Sequence, residues 1–206
     1  MRTVLLATLA GAAVFSAGAW MRIDTPLTLQ PESRIWVEGT STTKSWSCKA
    51  PAVDANVVAI NAEAPAAIVN GEKAVRSVTV RVAAPRLDCG NGTMTKHALK
   101  ALKADDHKTI TFALASYDLA KALEGTKGTL KGTLTLAGVA KPVAIVATAK
   151  PAPAGQVRIT GSYALKMTEY GMKPPNLMLG AMKVGDEVTI GFDLLLKAAP
   201  PAAPTP

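Results

Sequence analysis

Few side chains in this 206-residue sequence could do chemistry, and several of them lie in one segment. His97 and His107 are the two histidines, and Asp105 and Asp106 lie between them. Their spacing matches neither the His-x-x-x-His pattern of a helical zinc site nor another zinc motif. We therefore predict no metal site, and interpret the segment as the charged end of a surface helix.

Motifs of covalent or acid–base catalysis are also missing. The sequence has no Gly-x-Ser-x-Gly motif. Its adjacent carboxylates, Asp105-Asp106 and Asp186-Glu187, fall at the ends of predicted elements, where solvated charge is expected. We therefore predict that the protein is not an enzyme and has no catalytic residue. A Ser–His–Asp arrangement remains compatible with the sequence, as it is with any protein that has several of each.

Cys48 and Cys89 are the two cysteines. An even number of cysteines in an exported chain is typical of a disulfide, with two free thiols as the alternative. The bridge would close a loop of about 40 residues and, in the chain-entropy model, stabilise the fold by about 4 kcal/mol. No Cys-x-x-Cys motif is present to support a redox role.

The beginning of the sequence predicts export. Arg2 precedes an apolar run at residues 4–15, and Ala17-Gly18-Ala19 forms an A-x-A cleavage site. We expect residues 1–19 to be a signal peptide that is cleaved after Ala19, and the mature protein to be periplasmic or secreted. No later stretch reaches the ~20 apolar residues of a membrane-spanning helix.

The formal net charge of +8 comes from scattered cations, without basic runs or interleaved aromatic residues. Nucleic-acid binding requires clustered Lys and Arg, so we predict no nucleic-acid partner. Solubility is the simpler use of this charge, and transient attraction to an anionic membrane surface is the alternative. The sequence leaves open whether two copies form a homodimer.

Alternation of apolar and polar residues predicts a series of β-strands. The clearest is a hairpin at residues 128–146, with Gly138 in its turn. The one predicted helix begins at the Asn91-Gly92-Thr93 cap and ends near Asp105. The other predicted strands comprise residues 34–38, 45–49, 53–63, 75–83, 109–119, 157–167 and 187–197.

About eight strands joined mainly by short turns predict an all-β protein, either a sandwich or a barrel. The long alternation favours a closed, antiparallel, eight-stranded barrel with one inserted α-helix. We expect this domain to comprise residues 31–197, after an N-terminal segment at residues 20–30. The Ala/Pro-rich tail at residues 198–206 has too little apolar surface to fold.

One loop, at residues 169–185, is unusually apolar. Pro174-Pro175 prevents regular structure there, yet Met172, Met178 and Met182 lie in the same loop. Methionine adapts to irregular space and to varied partners. The loop either packs over one end of the barrel as a plug or lines a mouth for a flexible apolar ligand.

Four segments, in this order, resemble the YceI family of bacterial secreted lipid-binding proteins. They are the helix at residues 94–102 leading into H-K-T-I-T-F at 107–112, G-T-L-T-L-A-G-V-A-K-P-V at 132–143, Y-G-M-K-P-P at 170–175, and M-K-V-G-D-E-V-T-I-G-F at 182–192. The resemblance covers residues 34–197. It implies a lipocalin-like barrel that is exported to the periplasm and holds a polyisoprenoid chain.

Carried to this sequence, the resemblance implies a ligand-binding interior held by burial, without a cofactor. The implied lining residues are Phe112, Leu134, Leu136, Tyr163, Leu165, Phe192 and Leu194, with Met172, Met178 and Met182 at the mouth. The ligand would be a small apolar lipid such as a polyisoprenoid or an isoprenoid quinone, held for transport, storage or sequestration.

The alternative is an exported barrel that is filled by its own side chains and acts as a structural or stress-related interaction protein. The volume of the interior discriminates between the two functions. The sequence does not give the strand register, and a shift of one residue would exchange the inner and outer faces.

Overall fold

The computed structural model describes residues 24–177 and 182–200. The predicted signal peptide with its cleavage site, Met178, and residues 201–206 of the predicted tail lie outside the described residues. The described chain contains two α-helices, α1 (Ala64–Val69) and α2 (Gly92–Ala101). Its strands are β1 (Thr25–Leu29), β2 (Arg34–Ser41), β3 (Ser45–Lys49), β4 (Val53–Ala59), β5 (Val75–Ala83), β6 (Thr109–Ala122), β7 (Gly125–Leu136), β8 (Val139–Ala152), β9 (Gln156–Lys166), β10 (Asn176–Leu177) and β11 (Met182–Ala198).

Eight of these strands close into a barrel. Strands β4 to β9 form an up-and-down meander, β9 pairs with β11, β11 pairs with β1, and β1 pairs with β4. All pairings between the described strands are antiparallel. The predicted all-β fold with an eight-stranded antiparallel barrel is therefore confirmed.

Strands β2 and β3 form a hairpin that extends one side of the barrel. β11 is 17 residues long, and its C-terminal end pairs with β1 while its middle pairs with β2. The other edge of β2 pairs with β3. The wall next to β11 is therefore shared by two consecutive strands, β1 and β2.

The barrel begins before the predicted start at residue 31, because β1 lies within the segment assigned to residues 20–30. Leu27 of β1 is 2% exposed and pairs with both Val57 and Ala198. Ala198, assigned to the tail, is accordingly the last residue of β11. The five residues of β1 are few for an alternation pattern, and Pro26 is a residue that usually marks the end of a strand.

The second helix, α1, was not predicted. Ala64-Pro65 follows β4, where the sequence alone is equally compatible with the end of a strand. Pro65 instead occupies the first turn of α1, where a helix needs no amide hydrogen and tolerates proline. The side chains of Ala64, Pro65 and Ile68 are buried. We call the end of the barrel that α1 covers the lower end, and the end near α2 the upper end.

A β-bulge in β6 changes which residues face the interior. The pairing of β6 with β7 shifts between Leu114 and Ser116. Leu114 and Tyr117 both face inward, although they are three residues apart, because Ala115 and Ser116 both face solvent. Strict alternation would have placed Ser116 inside.

Candidate ligand-binding cavity

The barrel interior holds two adjoining cavities. We call the first the lower chamber; it has a volume of ≈ 210 Å³ and lies within the closed barrel. No charged side chain belongs to its described lining. Its wall includes Val57, Val80, Phe112, Leu134, Ile159 and Phe192. The alternation of these strands, apolar residues in and polar residues out, is what makes the chamber apolar.

The floor of the lower chamber is α1. This short helix contacts β7, β8, β9 and β11, and its Ile68 lines the chamber. The hydroxyl of Thr126, at the start of β7, donates a 2.7 Å hydrogen bond to the carbonyl oxygen of Val69. Thr126 is fully buried, and this bond satisfies its side-chain hydroxyl. The same bond holds the end of α1 against the wall.

A half-buried hydroxyl is satisfied in the same way. The hydroxyl of Tyr117 accepts a hydrogen bond from the Val75 amide at 3.0 Å and donates one to the Val75 carbonyl at 3.1 Å. Tyr117 and Thr126 thus use their hydroxyls on the backbone. The lower part of the chamber therefore presents a hydrocarbon surface to anything inside it.

The second cavity, which we call the upper chamber, has a volume of ≈ 680 Å³. It lies between α2, the β2–β3 hairpin and the first residues of β11; its wall includes Trp46, Met94, Ala98, Leu165, Met182 and Val188. Four residues, Ile35, Val82, Ile110 and Ile190, line both chambers. We call these four residues the neck, because they separate the two volumes.

Helix α2 covers the upper chamber without filling it. Its cap is as predicted, since the Asn91 side-chain oxygen accepts a 3.1 Å hydrogen bond from the Met94 amide. Met94, Ala98 and Ala101 point into the chamber, but no residue of α2 is fully buried. An amphipathic helix normally buries its apolar face against other side chains. Here Leu99 packs against a buried cluster, whereas Met94, Ala98 and Ala101 border open volume.

A disulfide joins the two elements on either side of the upper chamber. The predicted pairing of Cys48 with Cys89 is present, and both residues are buried. Cys48 belongs to β3, and Cys89 lies two residues before Asn91, the cap of α2. The bridge therefore fixes the N-terminal end of α2 to the β2–β3 hairpin.

The apolar loop at residues 169–185 has features of both predicted roles. Tyr170 and Met172 are 1% and 4% exposed and pack in the core at the upper end of the barrel, as a plug would. Met172 and Met182 also line the upper chamber, as a mouth would. Burial raises the pKa of the Tyr170 phenol from 10.0 to about 12, with smaller contributions from Tyr163 and Glu169.

Asp186 holds the start of this loop in place. Its two carboxylate oxygens accept hydrogen bonds from Thr168, at 2.9 Å from the amide and 2.6 Å from the hydroxyl. These two bonds lower the pKa of the Asp186 carboxyl. Asp186, one of the carboxylates considered for acid–base chemistry, therefore has a structural role on the surface.

Glycines in the wall leave room for aromatic rings. A Cβ atom on Gly132 would lie 2.8 Å from Cε2 of Phe112, and one on Gly161 would lie 2.5 Å from Cζ of Phe192. Both rings belong to the lower chamber. Because these glycines have no side chain, the rings lie against the wall instead of crossing the interior.

Nine of the ten predicted lining residues border the two chambers. The five in the lower chamber are Phe112, Leu134, Tyr163, Phe192 and Leu194, and the four in the upper chamber are Leu136, Leu165, Met172 and Met182. The tenth, Met178, lies outside the described residues. The structure thus brings the described nine together around one interior, while their role in ligand binding stays a prediction.

The two histidines are not brought together. His97 lines the upper chamber, whereas the ring of His107 packs over Gly138 in the β7–β8 turn. Within residues 24–177 and 182–200, no three His, Cys, Asp or Glu side chains are arranged to hold a metal ion. Neither α1 nor any other helix of that part of the chain is long and apolar enough to span a membrane.

The ion pairs of the described residues lie on the outside of the protein. Lys131 bonds Asp118 at 2.9 Å and Lys150 bonds Glu124 at 2.6 Å, with all four side chains largely exposed. Each lysine lowers the pKa of its partner carboxyl, mainly through the hydrogen bond. These charges are well solvated and leave the interior uncharged.

Sequence reasoning did not identify the neck or the floor. Ile35, Val82, Ile110 and Ile190 come from four separate strands, so their convergence requires knowledge of how the barrel closes. Alternation places Val82, Ile110 and Ile190 on the apolar faces of their strands, which is the signal that the sequence offers. Ile68 carried no such signal, because it belongs to the unpredicted helix α1.

Comparison with known proteins agrees with this architecture. A family model described as the YceI-like domain matches residues 32–196. None of the curated protein sequences compared with the chain is significantly similar to it.

Solved structures share the fold at low sequence identity. A crystal structure of Burkholderia cenocepacia BcnA matches with a TM-score of 0.64 and 18% identity, covering 82% of this chain and 99% of BcnA. A polyisoprenoid-binding domain from Saccharophagus degradans, implicated in plant cell wall breakdown, matches with a TM-score of 0.61 and 11% identity, covering 85% of this chain and 98% of that domain. The Campylobacter jejuni YCEI protein has a TM-score of 0.56 and 16% identity, covering 74% of this chain and 84% of its own.

Proposed function

Since this chain belongs to the YceI-like domain family, we propose that it is an exported protein that holds an isoprenoid or similar long apolar chain inside its barrel, for transport, storage or sequestration. The observation that carries the proposal is the interior volume, with a lower chamber of ≈ 210 Å³ and an upper chamber of ≈ 680 Å³. A barrel filled by its own side chains would lack both volumes.

The lining of the interior fits a hydrocarbon ligand. The hydroxyls of Tyr117 and Thr126 are hydrogen-bonded to the backbone, and the described wall of the lower chamber carries no charge. Burial of a methylene group contributes about 0.8 kcal/mol. A chain of about a dozen carbons therefore gains roughly 10 kcal/mol, from which the cost of association is subtracted.

The ligand class is supported by one of the structural neighbours. The Saccharophagus degradans domain, which shares the fold, is described as polyisoprenoid-binding. By analogy we place a polyisoprenoid or an isoprenoid quinone first among ligands for this chain. A periplasmic or secreted location fits the disulfide between Cys48 and Cys89, because such bonds persist in oxidising compartments.

Native mass spectrometry tests this function directly. The full chain is purified from cells that produce it naturally, and any bound compound is extracted with organic solvent. We expect a discrete added mass that extracts as a lipid. A clean mass of the protein alone, unchanged after incubation with isoprenoid quinones and with fatty acids, would overturn the proposal and favour an interaction protein.

A further inference from the structure

The two chambers differ in the polar groups that they offer. In the lower chamber, the hydroxyls of Tyr117 and Thr126 already bond the backbone. A third hydroxyl of this lining belongs to Tyr163, which packs against the cluster of Tyr170 and Met172 at the upper end of the barrel, away from the floor. A polar ligand group would therefore lose its hydration in the lower chamber without gaining a partner at the floor.

The upper chamber, by contrast, has polar groups with unused capacity. Its titratable lining residues are Lys44, which is exposed at the rim at the end of the β2–β3 turn, and His97, which is half-buried on the inner face of α2. Among the described residues, neither side chain has a hydrogen bond or an ion pair. Ser41 and Asn91 also line this chamber, but the first donates to the Lys44 carbonyl and the second caps α2.

The charged groups that line the upper chamber, among the described residues, have one sign. No Asp or Glu belongs to its described lining. Lys96 and Lys100, on the outer face of α2, are exposed and add to the same positive potential. The neighbouring acidic residues Asp88 and Asp105 are exposed and do not face the chamber. A negatively charged group would therefore be attracted here, and hydrogen bonds to a charged group are the stronger kind.

From these observations we infer that the ligand is an acidic amphiphile. Its carboxylate or phosphate head lies in the upper chamber against His97 and Lys44, and its hydrocarbon tail passes the neck into the lower chamber. This inference rests on the proposed function, which requires only an apolar chain in the interior. It adds the chemistry of the head group and the direction in which the chain lies.

Ligands that share one tail and differ in the head test the inference. Binding of dodecanoate, dodecyl phosphate, dodecanol and dodecylamine to the delipidated full chain is measured at pH 7.5 by displacement of a fluorescent lipid. We expect at least one of the two acids to bind about tenfold or more tightly than the alcohol, and the amine to bind most weakly. The two acids together distinguish a carboxylate from a phosphate site.

Variants assign the effect to named residues. The double substitution Lys44→Gln with His97→Leu should reduce the affinity for the preferred acid to that for dodecanol, while leaving dodecanol binding unchanged. Lys96→Gln, on the outer face of α2, is the matched control and should change neither. Equal affinity for all four heads, or equal loss of acid and alcohol binding in the double variant, would overturn the inference alone. Failure of every compound to bind would overturn the proposed function with it.

Discussion

The ring of Phe192 lies against Gly161, so that a Cβ atom on Gly161 would be only 2.5 Å from Cζ of the ring. The two residues are cross-strand partners on β11 and β9. Three further glycines leave room for an aromatic ring: Gly39 and Gly191 for their cross-strand partners Trp46 and Trp36, and Gly132 for Phe112 on the neighbouring strand. At the lower chamber, Gly161 and Gly132 keep the rings of Phe192 and Phe112 against the wall, so that the interior stays hollow.

Substitution of Gly161 should therefore close part of the interior. In Gly161→Ala, the new methyl group would meet the Phe192 ring and the Val146 carbonyl oxygen, 2.6 Å away. We expect the free energy of unfolding to fall by about 1–3 kcal/mol, as in other overpacked cores. Because the ring moves toward the lower chamber, dodecanol should bind about tenfold more weakly, a change of about 1.4 kcal/mol.

Gly92→Ala is the control for this substitution. Gly92 begins α2, and a Cβ atom there would meet nothing within 4 Å. Urea denaturation and dodecanol titration should both give wild-type values for this variant. An unchanged dodecanol affinity in Gly161→Ala would show that the Phe192 ring does not limit the lower chamber.

A charge inside the lower chamber should abolish lipid uptake. Leu134 is 5% exposed and lines the chamber, whereas its neighbour Thr133 is exposed on the outer face of β7. In Leu134→Lys the ammonium group requires hydration, and the water that accompanies it into the interior occupies the space of the ligand's chain. Thr133→Lys should bind lipid normally, as measured by fluorescent-lipid titration.

A milder variant separates loss of binding from loss of folding. Leu134→Gln keeps the side chain neutral, and its circular dichroism and melting temperature report whether the barrel is intact. Equal lipid uptake in Leu134→Lys and Thr133→Lys would contradict an interior site. Reduced uptake by a folded Leu134→Gln protein would support it.

The disulfide should contribute substantially to stability. Cys48 and Cys89 are 41 residues apart, for which the chain-entropy model gives about 4 kcal/mol. We expect the Cys48→Ala/Cys89→Ala double variant to lose about this much free energy of unfolding in urea. Dithiothreitol should lower the urea midpoint of the wild type and leave that of the double variant unchanged. Equal urea midpoints for the double variant and for the wild type with its disulfide intact would refute the estimate.

Tyr170 predicts a loss of stability at alkaline pH. Burial raises the pKa of its phenol to about 12 in the folded protein, while the unfolded chain ionises near the ordinary value of 10.0. The neutral phenol thus favours the folded state fully below about pH 10, and this contribution is lost as the pH rises toward 12. Relative to Tyr170→Phe, the wild type should become steadily less stable over that interval. If the urea midpoints of the wild type and Tyr170→Phe changed equally between pH 9 and 12, the raised pKa of Tyr170 would be contradicted.

Alternation in the sequence predicted most of the strands because each has one buried and one solvated face. It gave the bounds of β5 without error and put the β7–β8 turn at Ala137 and Gly138, whose φ angles of 49° and 81° are those of a tight hairpin. It failed where one residue type is compatible with two structures, and where a bulge breaks the alternation. Pro65 begins α1 although proline often ends a strand, and the bulge after Leu114 interrupts the period.

The candidate site was predictable to the extent that it depends on single strands. Leu134 and Phe112 face the interior because the apolar face of each strand turns inward. The neck depends on which strands meet across the barrel, and that follows from closure by β1, which was not predicted. The polar groups of the upper chamber, such as His97, become distinct only when α2 is placed over it.

The floor made by α1, anchored through Thr126 and Val69, closes the lower end of the barrel as far as the described residues extend. A molecule inside cannot travel through such a protein; it departs by the route of its arrival, with the end that entered first leaving last. Collection and delivery then happen at the same face, and donor and acceptor must be visited in turn. Residence time should grow with tail length, since the whole tail must be withdrawn before release, whereas the rate of capture should depend little on it.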